Sequence, residues 1–592
     1  MPRWFLSTIA CFPLALGTAA CSSDAPTSTG AAGASSSRGG SAGSASAAGG
    51  ALLGAGAGGA GAAGGAGETT GGAGSGAGGA NGGAAGSEVT IAGASGGSPI
   101  PPGFPPLIPG CDVGAAHAHA DSALGATLAN FWSGADQYLR AVAPSDGKLT
   151  GYWTYAQVFD ALLDGVERSE GQRFGGLIRS FYEGRAARGW LVDYYDDEAW
   201  MSLALMRAYD LTGEQRYLDT AESTYQDIMT QWDTSCCGTH LGGIWWDKKK
   251  TQKATASNAG PVLAGVRLAK RTGKTSYLDF AKKTYAFWWS DMVEQQTYAI
   301  YDHLSPDGTR APGALSYNHG LMMGAALELN VATGEAHYLT EAHGFGHYMI
   351  MTATRTSSAG PVLDDGSPCD GDCAAWKGIG YRYLAELFRS DPTHDEYRTV
   401  LSNDASAVWS LARNPTTNFF SSQWAGPAAT KGGVEAQGSA TMALNLYAML
   451  CGADTTAKPW AQGVYQAEEG FLDHVDFEAS TGRAFLGLGY VSAFTKDKQG
   501  VSIDVDVAKA GKYRIAWRYT AGEGAGSRVV LVNGQAQSQA LAFPATPNWT
   551  AWTDATSNAD LPAGKSTIGL YFDGSKGSKT SLDIDQLTLT PQ

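Results

Sequence analysis

Two aspartates stand side by side in the stretch YYDDEAWMSLALMRAYDLTG, as Asp196 and Asp197. One explanation is a helix cap, because carboxylates near a helix start accept hydrogen bonds from free amides and interact favourably with the dipole. The other is a reaction that needs two carboxyl groups close together. Glu198 adds a third acid where capping needs only one, which favours the second explanation.

Large aromatic side chains surround the acidic pair along the sequence. They are Trp153, Tyr194, Tyr195, Trp200, Trp245 and Trp246. The whole chain has 17 Trp and 25 Tyr, and such rings stack against the faces of sugars. Core packing is the alternative for each of them and accounts for many. The aromatic residues near the acids therefore predict a carbohydrate-binding mouth.

A repeated helical pattern must position these residues. Between about Gly114 and Asp454, apolar residues recur three and four apart, and LTGEQRYLDTA, RTGKTSYLDFA and ATGEAHYLTEA share one core. Their glycines, Gly213, Gly273 and Gly334, are 60 and 61 residues apart, so each unit is predicted to be a helical hairpin with a glycine-ended turn. About six such units fit the region. Closed in a ring, they make an all-α (α/α)6 toroid with a cleft at its mouth. An open solenoid is the competing fold.

The stretch around the acidic pair resembles glycoside hydrolase family 76, the α-1,6-mannanases. The resemblance continues in order through GGIWWD, ATASNAGPVLAGVRLAKRTG, LSYNHGLMMGAALEL and WKGIGYRYLAEL. It implies an (α/α)6 fold over residues 113–456 and retaining cleavage of α-1,6-mannosidic bonds by the adjacent aspartates. One departure is His319, which stands where the family often has Gln.

The resemblance assigns a role to each aspartate. Asp196 is the nucleophile that attacks the anomeric carbon, and Asp197 protonates the leaving oxygen and later activates water. Retaining hydrolysis uses two carboxyl groups about 5–5.5 Å apart, a separation that neighbours at a helix start can supply. Repulsion and partial burial are expected to raise one pKa, so that one proton stays on the pair. We expect an endo-acting α-1,6-mannanase that needs no cofactor for catalysis. A mannan transglycosylase and a non-catalytic surface adhesin that binds carbohydrate are the alternatives.

Seven further residues are expected to contact the substrate, as stacking platforms, as rings that line the mouth, or as amides that bind hydroxyl groups. They are Trp245 and Trp246, then Tyr194, Tyr195 and Trp153, and finally Asn258 and Asn318. For each of them, core packing or a turn is the alternative.

Several histidines and acids lie outside this set. His343 and His347 are four residues apart, a spacing that can bind a metal on one helix face. The sequence places no acid partner beside them, so we interpret them as a helix face. His117 and His119 are interpreted as part of a solvated segment ahead of the domain. The acid-rich DDGSPCDGDC is most similar to a disulfide-closed loop, with calcium as the lesser alternative.

The apolar period changes to two after Lys458, which predicts a β-sandwich of jelly-roll type over residues 460–592. YQAEEG near its start and LDIDQL near its end resemble carbohydrate-binding modules of families 6 and 35. That resemblance implies a structural calcium ion, with Gln466, Glu468 and Asp585 as ligands.

Loop aromatics of the module are expected to contact a sugar. Tyr490 follows a glycine, and Trp549 and Trp552 lie in the polar loop NWTAW. A silent structural module is the alternative, but two tryptophans in one polar loop favour binding.

The N-terminal residues predict export. Residues 1–21 combine Arg3, an apolar run too short to span a bilayer, and small residues before Cys21. This pattern is similar to a bacterial lipoprotein cleavage site, so Cys21 is expected to carry lipid and tether the chain to a membrane. A plain secretory signal is the alternative. Residues 22–112 are rich in Gly, Ala and Ser and then in Pro, as in a linker. The expected location is the cell surface or outer membrane, or the exterior.

The cysteine content predicts disulfides, and the net charge argues against one class of partner. Export implies an oxidising compartment, and six of the eight cysteines lie beyond the signal region, enough for three disulfides. Cys111 and Cys451 are expected to bridge the ends of the helical region, and Cys369 and Cys373 to close a small loop. The net charge is −15 and no basic patch is evident, which argues against nucleic acid as a partner.

Overall fold

The computed structural model describes residues 105–366, 371–453 and 462–592. The predicted signal segment, Cys21 and all but the last residues of the predicted linker lie outside the described residues. Within those ranges, no helix has the length and apolar character needed to cross a membrane.

Helices dominate the described residues up to 453. They are α1 Val113–Phe131, α2 Tyr152–Arg168, α3 Gly175–Ala186, α4 Tyr195–Thr212, α5 Gln215–Met229, α6 Thr255–Thr272, α7 Thr275–Met292, α8 Ser316–Thr333, α9 Ala336–Thr352, α10 Cys373–Ser390, α11 Asp395–Ala407 and α12 Val434–Cys451. The even-numbered helices form a closed inner ring, since each contacts the next and α12 contacts α2. The odd-numbered helices pack outside it, as α5 does on α4 and α7 on α6.

The glycine repeat ends three inner helices. Gly213, Gly273 and Gly334 follow α4, α6 and α8 with φ of 73°, 71° and 73°, a left-handed conformation that glycine adopts without a Cβ penalty. The amide of each donates to the carbonyl four residues earlier, and the chain then reverses into the outer helix. The predicted hairpins and the closed (α/α)6 toroid are confirmed.

Short strands decorate the loops of the ring. They are β1 Trp132–Ser133, β2 Tyr138–Leu139, β3 Val142–Ala143, β4 Lys253–Ala254, β5 Val293–Glu294, β6 Ala299–Ile300, β7 His303–Leu304, β8 Arg310–Ala311, β9 Thr354–Ser357, β10 Gly360–Leu363 and β11 Gly432–Gly433. Strand β3 lies just before the first inner helix, α2, and β11 lies just before the last inner helix, α12. Because β3 pairs with β11, main-chain hydrogen bonds join the two ends of the inner ring in addition to helix packing.

One disulfide and one buried histidine join the two ends of the helical region. Cys111 and Cys451 are bonded, as predicted, across a sequence separation of 340. Cys236 and Cys237 form a bond between neighbours that the sequence did not suggest. Cys373 is disulfide-bonded, whereas Cys369 lies outside the described residues. His117 belongs to α1 and is buried, with Nε2 3.0 Å from the carbonyl oxygen of Gly452, so the interpretation of a solvated segment was wrong for it.

The C-terminal part is a two-sheet β-sandwich. Its strands are β12 Val464–Gln466, β13 Phe471–Asp473, β14 Asp476–Glu478, β15 Tyr490–Ser492, β16 Gly500–Val507, β17 Gly511–Thr520, β18 Gly526–Val532, β19 Gln535–Ala536, β20 Leu541–Phe543, β21 Thr553–Leu561, β22 Gly564–Tyr571 and β23 Asp583–Pro591. One antiparallel sheet runs β14-β15-β23-β17-β21, with β12 also on β23. The other runs β13-β16-β22-β18-β19, with β20 also on β18. The predicted β-sandwich is confirmed.

Direct hydrogen bonds join the sandwich to the helical ring. The indole of Trp132 donates to the carbonyl of Val475 at 3.1 Å, and the amide of Leu472 donates to Ser180 Oγ at 2.8 Å. A Cβ on Gly176 of α3 would lie 2.4 Å from the carbonyl carbon of Gly470, so only glycine fits there. The two parts therefore share a close backbone interface.

Candidate active site

The inner helices bring the sequence-predicted residues together. Because outer and inner helices alternate along the chain and the chain reverses between them, the six inner helices run the same way and begin at one mouth of the ring. Trp153 of α2 donates from Nε1 to Asp372 Oδ1, just before α10, at 2.9 Å. Asp372 in turn raises the pKa of both Asp196 and Asp197 at the start of α4. Residues from three separate helices thus meet at one place.

Asp196 lies in the first turn of α4 and is half-buried. Its Oδ2 accepts a hydrogen bond from Trp246 Nε1 at 3.1 Å, while Oδ1 has no partner within the described residues. Burial raises the pKa of Asp196 to about 7, and the indole N–H opposes that rise because it stabilises the ionised form. The residue before the helix, Tyr194, makes no side-chain cap. The backbone amides of Asp196 and Asp197 also lower the pKa of Asp196, so the start of α4 stabilises the ionised form together with the indole.

Asp197 is half-buried beside Asp196. Burial raises the pKa of Asp197 well above its usual range, and the charges of Asp196, Asp372 and Glu198 raise it further. Two neighbouring carboxyl groups that resist joint ionisation share a proton near neutral pH. This arrangement supplies one carboxylate and one carboxylic acid at the same mouth, as acid–base chemistry requires.

Glu198 is turned into the wall of the ring and is fully buried. Its Oε1 accepts the amide of Val192 at 2.9 Å, and Lys248 lies 3.8 Å away. Burial raises the pKa of Glu198 to about 8. Glu198 thus fixes the backbone of the segment before α4, and its buried side chain is not exposed at the mouth of the ring.

Backbone pairing places Trp246 over Asp196. The amide of Tyr195 donates to the carbonyl of Trp246 at 2.9 Å, and the amide of Lys248 donates to the carbonyl of Asp193 at 2.9 Å. Tyr194, which is 39% exposed, packs its ring on Trp246 with centroids 4.7 Å apart. Tyr194 and Trp246 are therefore the two predicted aromatic residues that flank Asp196 and keep exposed surface.

The side chains of Trp245 and Tyr195 are buried. Trp245 is 4% exposed, donates from Nε1 to Asp233 Oδ2 at 2.9 Å and has Lys253 Nζ 5.0 Å from its ring centre. Tyr195 is 2% exposed, and burial raises its pKa to about 12. Both rings pack in the wall of the ring with little exposed surface, and their contact with the substrate stays a prediction.

The predicted amides are also buried. Asn258 of α6 accepts the amide of Ile244 at 2.8 Å and donates to the carbonyls of Ile244 and Ala254 at 3.0 and 2.8 Å. Asn318 of α8 is fully buried and donates to Asp302 Oδ1 at 2.7 Å. Asn258 fixes the loop that carries Trp246, whereas Asn318 Oδ1 is buried without a hydrogen-bond partner within the described residues. Contact of either amide with a substrate hydroxyl group stays a prediction.

Asp372 is the site residue that sequence reasoning missed. It is exposed at the start of α10, within the acid-rich stretch that suggested only a loop. Its position just before an inner helix was the available signal, since that position corresponds to the acidic pair at the start of α4. The charge of Asp372 opposes ionisation of Asp196 and Asp197.

His319 is buried and lies beside a separate cavity of about 470 Å³ between α8, α9 and the loops above them. Burial lowers the pKa of His319 to about 4, so its imidazole is neutral. Its Nδ1 is 3.0 Å from the carbonyl oxygen of Leu315, and its ring stacks on Tyr348. The acidic pair does not line this cavity.

A second concave surface lies on the sandwich. Tyr490 and Trp549 both line a cavity of about 330 Å³, together with the ion pair of Arg483 and Asp583. Arg483 lies over both rings, 5.0 and 5.3 Å from their centres. Trp552 packs edge-on against Tyr490 from behind. The structure therefore brings the three predicted aromatic residues together, with two of them at the surface of the cavity.

The predicted calcium ligands also lie together. Gln466, Glu468 and Asp585 are buried, and Gln466 Oε1 and Glu468 Oε2 have no hydrogen-bond partner within the described residues. A Cβ on Gly487 would lie 2.6 Å from Glu468 Oε1 and 2.8 Å from Gln466 Oε1, so both side chains converge there. Asp585 also pairs with Arg518. Unsatisfied carboxylate and amide oxygens fit a hard cation such as Ca²⁺.

Comparison with known proteins agrees with this arrangement. The family model of glycosyl hydrolase family 76 matches residues 116–462, and that of carbohydrate binding module family 35 matches residues 463–590. Mannan endo-1,6-alpha-mannosidase DCW1 of Candida glabrata is 25% identical over 260 residues, which is 39% of this chain and 56% of that protein. The match thus spans about half the length of this curated relative.

Solved structures share the helical fold. The Lin0763 protein from Listeria innocua superposes with a TM-score of 0.52 at 26% identity, over 57% of this chain and 97% of that chain. An inactive variant of the α-1,6-mannanase GH76A of Salegentibacter sp. HEL1_6, with two neighbouring aspartates changed to asparagine, was solved with α-1,6-mannotriose. It superposes with a TM-score of 0.51 at 22% identity, over 57% of this chain and 99% of that chain. Since the family match covers more than half of the residues, this chain belongs to glycosyl hydrolase family 76.

Proposed function

We propose that this chain is a retaining endo-α-1,6-mannanase that acts through Asp196 and Asp197. The observation that carries the proposal is the paired placement of these carboxyl groups at the mouth of the ring, with raised pKa values and an indole donor on one of them. The family membership supports glycoside hydrolysis. The names of the relatives, which include mannan endo-1,6-alpha-mannosidases, support the substrate.

The geometry gives each carboxyl group a role. The indole of Trp246 donates to Asp196 and favours its ionised form, and Asp196 Oδ1 has no hydrogen-bond partner within the described residues, so we infer that this oxygen attacks the anomeric carbon and forms a glycosyl ester. Burial and the charge of Asp196 raise the pKa of Asp197, so Asp197 keeps its proton and delivers it to the glycosidic oxygen as that bond breaks. Asp197 then takes a proton from water, whose oxygen attacks the same carbon and releases Asp196. The Trp246 indole holds Asp196 in place and favours its ionised form.

The module supplies attachment to the polymer. We infer that Tyr490 and Trp549 contact a sugar in the cavity that they share with Arg483, and that Gln466, Glu468 and Asp585 hold a structural calcium ion. Calcium would stabilise the module by ordering buried oxygens that otherwise lack partners. Melting curves of the EDTA-treated protein test this, because added Ca²⁺ should raise the unfolding temperature of the parent and not of Glu468→Gln.

The N-terminal pattern supports a surface tether. We propose that Cys21 carries lipid and that residues 22–112 hold the enzyme away from the membrane, which raises the local concentration of enzyme beside the polymer. Fractionation of cells that express the parent or Cys21→Ser tests this proposal. The variant should move from the membrane fraction to the soluble exported fraction.

The activity is tested on linear α-1,6-mannan with purified parent and Asp196→Asn. Release of shorter oligosaccharides by the parent alone supports hydrolysis. Longer products would indicate transfer to a sugar in place of water. Binding without any product from either protein would support a carbohydrate-binding adhesin and overturn the enzyme proposal. NMR of the first products shows whether the anomeric configuration is retained.

A further inference from the structure

A cluster of two imidazoles and one carboxylate lies on the outer layer of the ring, apart from both sugar sites. His343 comes from α9, Asp391 directly follows α10, and His394 directly precedes α11. One ligand atom from each side chain lies within 4.8 Å of the other two. Asp391 Oδ2 is 3.4 Å from His343 Nε2 and 3.5 Å from His394 Nε2. All three residues are half-buried.

The protons of both imidazoles are committed elsewhere. The Tyr397 hydroxyl donates to the carbonyl of His343 at 3.2 Å, so its oxygen accepts from His343 Nδ1 at 3.1 Å. His394 Nδ1 is 3.0 Å from Glu396 Oε1, and a carboxylate only accepts, so this nitrogen also carries the proton. The lone pairs of both Nε2 atoms are therefore left facing the cluster.

The carboxylate is oriented in the same way. Thr393 donates to Asp391 Oδ1 from its amide at 3.3 Å and from its hydroxyl at 2.6 Å. Oδ2 is thus the oxygen turned toward the histidines. In the neutral tautomers that these hydrogen bonds favour, two imidazole lone pairs and a carboxylate oxygen converge, and they repel one another unless a cation joins them. His343 Nε2 is buried and has no hydrogen-bond partner within the described residues.

Protonation of both imidazoles would relieve the repulsion less well than a metal cation. The two imidazole rings stack with centroids 4.3 Å apart, so two imidazolium charges would face each other. A single divalent cation satisfies all three ligands without that repulsion.

We propose that His343, Asp391 and His394 form a binding site for Zn²⁺ or a similar divalent transition metal, with water as a fourth ligand. In a tetrahedral zinc site with bonds of about 2.0–2.2 Å, ligand atoms lie about 3.3–3.6 Å apart, as Asp391 Oδ2 does from each nitrogen. The two ring planes are 28° apart. Tyr397 and Glu396 act as outer partners that fix the tautomers. Imidazole ligands favour Zn²⁺ over Ca²⁺ or Mg²⁺.

A metal at this site would link α9, the end of α10 and the start of α11, which are otherwise held together by packing and hydrogen bonds. In the units that end at Gly213, Gly273 and Gly334, a glycine turn links the inner helix to the outer one. Between α10 and α11 no such glycine occurs, and Asp391 and His394 occupy the connection. A bound metal would tie this connection to α9, on the outside of the ring.

Titration calorimetry with ZnCl₂ tests the proposal on purified protein freed of metal by EDTA and then of EDTA. The parent should bind Zn²⁺, and both His394→Ala and Asp391→Asn should bind it at least about tenfold more weakly. His347→Ala is the matched control, because this exposed histidine lies on the same helix outside the cluster and its loss should change nothing. Tyr397→Phe should weaken binding about tenfold by freeing the tautomer of His343.

Thermal unfolding gives a second measurement. Zn²⁺ should raise the unfolding temperature of the parent and of His347→Ala, but not of the cluster variants. Circular dichroism in EDTA checks that each variant is folded, and two separate cluster variants guard against the failure of one. Absence of Zn²⁺ binding by the parent would overturn the proposal. So would binding that survives both cluster changes, or that is lost equally in His347→Ala.

Discussion

The hydrogen bond from Trp246 to Asp196 sets the pH at which the proposed nucleophile ionises. Trp246→Phe keeps an aromatic ring and removes the indole N–H that donates to Asp196 Oδ2 at 3.1 Å. That bond favours the ionised carboxylate and so holds the pKa of Asp196 down, to about 7. Its loss should raise the pKa and move the acid limb of the activity profile to higher pH.

The size of the shift follows from the chemistry of the bond. A hydrogen bond to a charged group contributes about 1.5–3 kcal/mol, and one pKa unit corresponds to about 1.4 kcal/mol. The limb should therefore move by about one unit or more, and kcat/KM at pH 6 should fall about tenfold beyond any loss of stacking. At a pH well above the shifted pKa, where Asp196 is ionised in both proteins, the difference should shrink to the stacking effect alone.

The measurement is the pH dependence of kcat/KM on a short α-1,6-linked mannose oligosaccharide. Trp245→Phe is the matched control, because its neighbouring indole donates to Asp233 instead and should leave the limb in place. A Trp246→Phe profile that keeps its midpoint and drops equally at every pH would refute the reasoning. Trp246 would then be a sugar platform without influence on Asp196.

Three further changes have defined outcomes. Asp197→Asn should raise the unfolding temperature at pH 8, with a gain that shrinks toward pH 4. The raised pKa of Asp197 in the folded protein means that its ionisation destabilises the fold as pH rises above the unfolded pKa, and melting curves across pH measure this. Gly176→Ala should lower the unfolding temperature and release the module on limited proteolysis, whereas Gly175→Ala, whose Cβ meets nothing within 4 Å, should do neither. Trp549→Ala should weaken binding to insoluble mannan about tenfold, or about 1.4 kcal/mol, in a depletion assay and leave oligosaccharide turnover unchanged.

The sequence predicted the ring because the ring is periodic. Gly213, Gly273 and Gly334 recur at the spacing of one hairpin, and each terminates an inner helix in the left-handed conformation that the pattern implied. The position of the acidic pair at a helix start followed from the same pattern. Local sequence therefore carried both the fold and the central feature of the site.

Residues in the loops above the ring were less predictable. Trp245 and Trp246 are neighbours, yet Trp245 is packed on Lys253 and Trp246 reaches Asp196. A loop has no fixed period, so residue type alone does not tell which ring is exposed. Asp372 was missed for a related reason, since its effect on the pair comes through ring closure across more than 170 residues of sequence. The zinc cluster likewise joins residues from three elements, of which the sequence offered one histidine.

The hydrogen bonds at Trp132 and Ser180 hold the sandwich against the helical ring, and so they bear on the distance between the sandwich cavity and the acidic pair. A module on a loose hinge would sample the polymer at many distances from the cleaving carboxyl groups. With this interface, the cavity that is proposed to contact a sugar is held at one span from the acidic pair, so a mannan chain would engage both only where its curvature and side branches suit that span. On the proposed function, the interface would favour glycans whose shape over several sugar residues matches that span.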